Sequence, residues 1–147
     1  MRKAALMVLI PLSVAQAPGQ QSTGGDHPQF SLADCVNEFS SAAVESTAVG
    51  YQYWFVDRDF LDGRTIKMSV VRPHEATHAP HTHGEDEFFV VLEGRAELIL
   101  EDERRVVGPL TSFYCPPSTM HGIRNAGETD LKYLVIKKYR RPNQTHQ

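Results

Sequence analysis

The sequence predicts an all-β fold, a sandwich or barrel, with a single N-terminal helix packed on its outside. Three observations predict it. β-Branched and aromatic segments recur from Tyr51 onward, at the roughly 8 to 12-residue spacing of all-β domains. Turn signals punctuate them: Asp62-Gly63, Pro73, Glu93-Gly94, Glu101-Asp102-Glu103 and Gly108-Pro109. Only one stretch, near Ser31, has a helical period instead.

That stretch opens Ser31-Leu32-Ala33-Asp34, a capping box with Asp in the usual Glu/Gln position. Leu32, Val36, Phe39 and Ala43 then follow at spacings of four and three, which predicts a helix over 32–46. From Tyr51 the period changes. Tyr51 to Val56 is aromatic and β-branched, a strand. After the Asp62-Gly63-Arg64 turn, Thr65 to Arg72 alternates Ile66, Met68 and Val70 against Lys67 and Ser69. Pro73 to Pro80 is a loop. The chain from His81 through Phe88 to Leu92 reads as one extended strand. Ala96, Leu98 and Leu100 face one side of the next, opposite Glu97 and Glu101. Segments 112–115, 120–125 and 131–139 complete the set.

A chain of 147 residues suits one domain. Its hydrophobic share of 41% and charged share of 22% are those of a globular protein rather than a disordered one. A net charge of −3 lacks the basic stripe that nucleic-acid binding needs, and no DNA-reading helix pair is present. The Lys137-Lys138 and Arg140-Arg141 run reads as a solvated strand end. At the N-terminus, Arg2-Lys3, the apolar run Ala4 to Leu12 and Ala15-Gln16-Ala17 form a signal-peptide pattern over 1–17. The apolar run is too short for a permanent membrane span, and no cysteine follows it to carry a lipid. The expectation is export, to a periplasm or the extracellular space. A flexible leader follows over 18–30, a single domain occupies 31–140, and a disordered tail is predicted over 141–147. Cys35 and Cys115 read as two small buried hydrophobes rather than as a pair.

The chemistry concentrates in His81-Thr82-His83-Gly84-Glu85-Asp86-Glu87. On an extended strand, offsets of two and four project His81, His83 and Glu87 from one face. Two imidazoles and a carboxylate form the ligand shell of a divalent transition metal, and His121 on a later strand supplies a fourth group if the sheet curls round. Iron, manganese, nickel, zinc and copper all suit such ligands. The same parity turns Phe89, Val91 and Ile123 inward as an apolar pocket lining, with Asn125 fixing a turn or a contact behind the ligands. His74 and His78 read as a histidine-rich surface loop, and Glu85 and Asp86 as hydrated charges at the mouth.

These residues resemble the two motifs of the cupins. His81, His83, Glu87 and Gly94 match every position of the first: His-x-His, three or four residues, Glu, six residues, Gly. Pro116, His121 and Asn125 match the second, where Leu110 and Ser118 replace two glycines. The resemblance spans roughly residues 64 to 139. It implies a jelly-roll barrel, a mononuclear site favouring iron or manganese, a small-molecule substrate, and a homodimer paired through a strand edge such as Tyr51 to Val56. Three functions are compatible with it. One is an isomerase or lyase acting on a small oxygen-rich molecule such as a sugar acid. Another is an iron-dependent dioxygenase, and the third a non-catalytic ligand-binding module. Tyr53, Glu97 and Tyr133 are the interior groups considered for acid–base work, each equally explained by packing or exposure.

Overall fold

A computed structural model of the chain describes residues 30–140. The expected signal segment, nearly all of the leader and the expected tail lie outside the described residues. Two antiparallel sheets form the body. The larger orders its strands β1 (Glu45–Thr47), β2 (Gly50–Val56), β3 (Arg64–Val71), β9 (Leu131–Lys138), β4 (Glu87–Glu93) and β7 (Thr111–Cys115). The smaller orders β6 (Glu103–Val107), β5 (Ala96–Leu100) and β8 (His121–Asn125). Chain-distant strands thus become neighbours, β3 beside β9 and β9 beside β4, as in the expected jelly roll. β1, and β6 between its two predicted turns, add to the strands expected from sequence.

The inner face of the larger sheet is built in rungs. Thr65, Lys137, Glu87 and Cys115 lie side by side across β3, β9, β4 and β7. The next rung is Lys67, Val135, Phe89 and Phe113, followed by Ser69, Tyr133, Val91 and Thr111, and then by Val71 and Leu131. Val71, Phe89, Val91, Leu131 and Tyr133 meet Ala96, Leu98 and Ile123 of the smaller sheet in one buried core. Fully burying a side chain such as Leu131 contributes ~1.5–3 kcal/mol. One barrel end is therefore packed with hydrocarbon, and polar groups gather at the other.

The alternation of β3 is occupied in the reverse of its apparent sense. Thr65 and Ser69 are buried on the inner face, while Met68 and Val70 form a second cluster with Tyr53. Val44 and Phe55 pack against that cluster, so both faces of the strand are covered.

The predicted helix over 32–46 is not formed. The capping box is present, but it closes one turn, α1 (Leu32–Cys35), and Val36 is already extended. A short 3-10 turn, Ser41–Ala43, follows before β1. Tertiary contacts decide this. The Tyr53 hydroxyl donates to the carbonyl of Glu38 at 2.8 Å, and the Phe39 and Tyr53 rings lie 4.9 Å apart. Those contacts hold the segment against β2 in place of a helical stripe. Leu32, Val36 and Phe39 stay exposed. Cys35 is exposed too, so only Cys115 fits the expectation of a buried hydrophobe, and both are free thiols. Burial pushes the Cys115 thiol up to about 12, which keeps it inert. Along Tyr51 to Val56, β3 pairs with one edge, while β1 pairs with the other only as far as Gln52, so Tyr53 to Val56 has no partner strand on that side among the described residues.

Gly94 adopts φ +84, and a Cβ there would stand 2.6 Å from the carbonyl oxygen of Asp130, so the turn into β5 admits only glycine. Leu110 and Ser118, the two departures from the glycine motif, also adopt left-handed backbone, at φ 60 and 59. The turns keep the geometry that glycine would relax. Leu110 is 93% exposed and loses no packing on truncation. Leu110→Gly is therefore expected to raise stability by about 0.5 kcal/mol, the left-handed penalty less the entropy of a freer unfolded chain. Urea denaturation measures it; an equal or lower midpoint would argue against strain at this turn.

Candidate metal centre

The four predicted ligands come together, though not along one strand. Only Glu87 belongs to β4. His81 stands in an isolated bridge to His121, the first residue of β8, with both backbone hydrogen bonds at 3.0 Å. His83 lies in the irregular link between them, where its carbonyl accepts from the backbone N–H of Ser118 at 2.7 Å. The closure of β8 against the 75–81 segment thus replaces strand periodicity as the device that aligns the ligands.

The ligand atoms of His81, His83, Glu87 and His121 all lie within 4.8 Å of one another, and the four groups could hold a metal ion. His121 is fully buried and Glu87 nearly so. Two tautomers are set by the backbone. His83 Nδ1 donates to the carbonyl of Glu85 at 2.7 Å, and His121 Nδ1 donates to that of Thr119 at 2.7 Å. Each Nε2 turns toward Glu87 Oε1, 3.6 Å away for His83 and hydrogen-bonded at 3.0 Å for His121, through a proton that a metal ion would replace. This is how metal-ligating imidazoles are oriented. Two buried nitrogens, His81 Nδ1 and His83 Nε2, have no hydrogen-bond partner. An orphaned buried acceptor is costly, and a cation relieves that cost. The donor set therefore fits a divalent transition metal. Burial, then the neighbouring His78, His121 and His83, lowers the pKa of His81 and favours the neutral form a ligand needs.

The apolar lining divides by depth. The Phe89 ring reaches within 6.4 Å of the His121 ring, while Val91 and Ile123 belong to the packed core. Asn125 is fully buried and fixes a turn, as expected: its Nδ2 donates to the carbonyls of Val71 and Thr129, and its Oδ1 accepts from the Gly127 N–H. His74 pairs with Glu128 at 3.2 Å. His78 edges the His81 ring at 4.3 Å but is outside the four-ligand set.

Two of the three proposed acid–base residues lie elsewhere. Tyr53 belongs to the outer cluster of β2 and β3, with its hydroxyl spent on Glu38. Glu97 projects from the opposite face of β5 to Ala96 and Leu98 and lies 3.6 Å from Arg104 and 3.8 Å from Arg124. Tyr133 alone is on the inner face, stacked 5.7 Å from Phe89 and hydrogen-bonded with Thr77 and Ser69. Burial raises its pKa, so at neutral pH it can donate a proton but not abstract one. Tyr53→Phe and Glu97→Gln are thus expected to leave metal uptake unchanged; Tyr53→Phe costs about 1 kcal/mol of stability for its lost hydrogen bond. Metal analysis and denaturation of both variants check this.

The solvated strand end expected at Lys137 is also corrected. Lys137 points inward, nearly buried, with Nζ 3.9 Å from both Glu85 and Glu87, whereas Lys138 turns outward to Asp62. Sequence reasoning missed Lys137 because a basic dipeptide reads as surface. Its alternation with Val135 and Tyr133 was the available signal.

A double-sheet barrel enclosing three histidines and a glutamate at its polar end defines a cupin site. The comparisons agree: the cupin domain model, Cupin_2, matches residues 67–137, and the chain is a small cupin-domain protein. Among curated proteins it is 31% identical over 72 residues to mannose-1-phosphate guanylyltransferase RfbM of Salmonella typhimurium, a match covering 49% of this chain and 15% of that one. It spans 39% of a second, uncharacterised relative from Methanocaldococcus jannaschii. Among solved structures, the cupin 2 conserved barrel protein of Salinispora arenicola aligns with TM-score 0.58 and 19% identity, covering 71% of this chain and 87% of that one. The polyketide cyclase RemF of Streptomyces resistomycificus aligns with TM-score 0.60 and 22% identity, covering 76% and 87%. At those identities the likeness is one of fold.

Proposed function

We propose that this protein is a mononuclear metal-dependent enzyme of isomerase or lyase type acting on a small oxygen-rich molecule, such as a sugar acid. One observation carries the reading: three imidazoles and a carboxylate converge, with His83 and His121 held by backbone carbonyls and turned toward one point. Bound there, iron or manganese would supply Lewis acidity to adjacent carbonyl or hydroxyl oxygens, the role that nickel, zinc or copper would fill less characteristically. The chain's own residues do the rest. Glu87 contributes the negative charge, and Phe89 with Phe113 keeps water from the floor beneath it. Tyr133, held neutral, is a proton donor on the inner face. The same ligand set is compatible with an iron-dependent dioxygenase.

A non-catalytic binding module is the second reading, favoured by the placement of Tyr53 and Glu97 away from the four ligands. Product analysis separates them. Metal-loaded protein is offered uronates, hydroxy acids and diketones, with and without O₂. Turnover that disappears in His83→Ala supports the enzyme; saturable binding without product supports the module. We further propose export, with the segment 1–17 removed, which N-terminal sequencing of secreted protein tests. No helix among the described residues is long and apolar enough to cross a membrane. A homodimer remains our expectation for the assembly, and light scattering at twice the chain mass would establish it.

A further inference from the structure

The inner face of β3 carries a cation that the metal centre does not use. Lys67 occupies the rung directly beneath Thr65, Lys137 and Glu87, level with Phe89 and Val135. Its Nζ lies 5.2 Å from the Trp54 ring centroid, and among the described residues no carboxylate lies within ion-pair distance of it. Two carboxylates act on it electrostatically from further off: Glu87, which belongs to the four-residue cluster, and Glu45, which already accepts a hydrogen bond from Gln52. Lys137, diagonal to Lys67 on the same face, is nearly buried and shared loosely between Glu85 and Glu87 at 3.9 Å each. A cross-strand diagonal brings long side chains within reach of one another. Two ammonium groups thus project from neighbouring strands into one face of the barrel interior, and one of them, Lys67, has no carboxylate at ion-pair distance among the described residues.

We propose that Lys67 and Lys137 form a seat for the anionic group of the ligand, so that the molecule taken up beside the metal centre is a small carboxylate-bearing acid. This rests on the metal-dependent reading and narrows it to a substrate class. Geometry divides the work: the four-ligand cluster faces the oxygen-rich end of the molecule, and Lys137 on the rung of Glu87 with Lys67 one rung below receives its negative charge. Burial lowers the pKa of Lys67 and outweighs the opposing pull of Glu87 and Glu45, with Arg58 and Lys137 adding to the lowering, so a bound carboxylate would favour the ammonium form. A neutral molecule of the same shape gains nothing there.

Titration calorimetry with malonate and its neutral analogue malonamide tests the seat, on metal-free and metal-loaded protein. The expected result is that malonate binds at least ~10-fold more tightly than malonamide, a difference of about 1.4 kcal/mol. Lys67→Met and Lys67→Gln lose that preference, while Lys67→Arg keeps it and all three retain the metal content of the wild type. Malonate affinity indifferent to Lys67→Met, in protein of unchanged circular dichroism, would overturn the inference and leave the metal site standing. So would equal affinity for malonamide. A wild type that takes up no metal yet prefers malonate through Lys67 would sink the metal reading alone.

Discussion

His121→Ala is expected to emerge from reconstitution without metal, where the wild type carries one ion per chain. His121 is fully buried, its Nδ1 is spent on the Thr119 carbonyl, and its Nε2 faces Glu87 at 3.0 Å. Substitutions merely behind a ligand cost 10 to 100-fold in metal affinity, so loss of the ligand itself should cost at least ~100-fold. The alanine also leaves a void against Phe89. Glu87→Gln, which keeps the volume and removes the charge, is therefore measured alongside. Elemental analysis and chelator competition give the answer; a variant retaining the wild-type affinity would remove His121 from the ligand set. Acid should release the metal as well, because the ligands must be deprotonated. His81 adds a stability effect whose sign is fixed. Its folded pKa lies below the ordinary 6.5, so the unfolded chain takes up the proton first as pH falls. Stability of the metal-free protein is unaffected by His81 above that value and declines as pH drops from about 6.5 toward the folded pKa. Urea midpoints across that interval, compared with His81→Gln, isolate the contribution.

Asn125→Asp is expected to destabilise the fold by about 3–5 kcal/mol, the cost of an uncompensated buried charge. The wild-type amide has no exposed surface and is read in both directions. Nδ2 donates to Val71 at 2.9 Å and Thr129 at 2.8 Å, and Oδ1 accepts from Gly127 at 2.8 Å. A carboxylate would set two oxygens against carbonyls that need a donor. The lock ties β8 to the end of β3 and to the turn before β9, so its loss loosens the strand that presents His121. Chemical denaturation measures the effect, and a change under 1 kcal/mol would mean that the turn holds without the amide.

Much of this architecture was legible in one dimension. The members of the candidate metal cluster were, because His-x-His with Glu four residues on is a pattern that packing alone does not require. Gly94 was, and its positive φ against Asp130 explains the requirement. The inward parity of Glu87, Phe89 and Val91 was too, since β4 is regular there. The helix over 32–46 failed for a physical reason: its stripe of Leu32, Val36 and Phe39 was sufficient for a helix only in the absence of Tyr53, whose ring and hydroxyl capture the segment. Glu97 and Tyr53 failed as interior groups because alternation names two faces without saying which is inside. On β3 both faces are covered, and the polar one, bearing Lys67, turns toward the barrel.

The sequence by itself determined that the chain is a cupin barrel and which four side chains converge. Their residue types and spacing form a pattern that packing alone does not require. Only the tertiary structure decided how they converge: through the His81–His121 bridge and two backbone carbonyls, contacts between segments far apart in the chain. It also decided that Lys67 and Lys137 line the interior. Burial of a charge is set by what the opposite sheet and the neighbouring strands provide, and no local pattern carries that information.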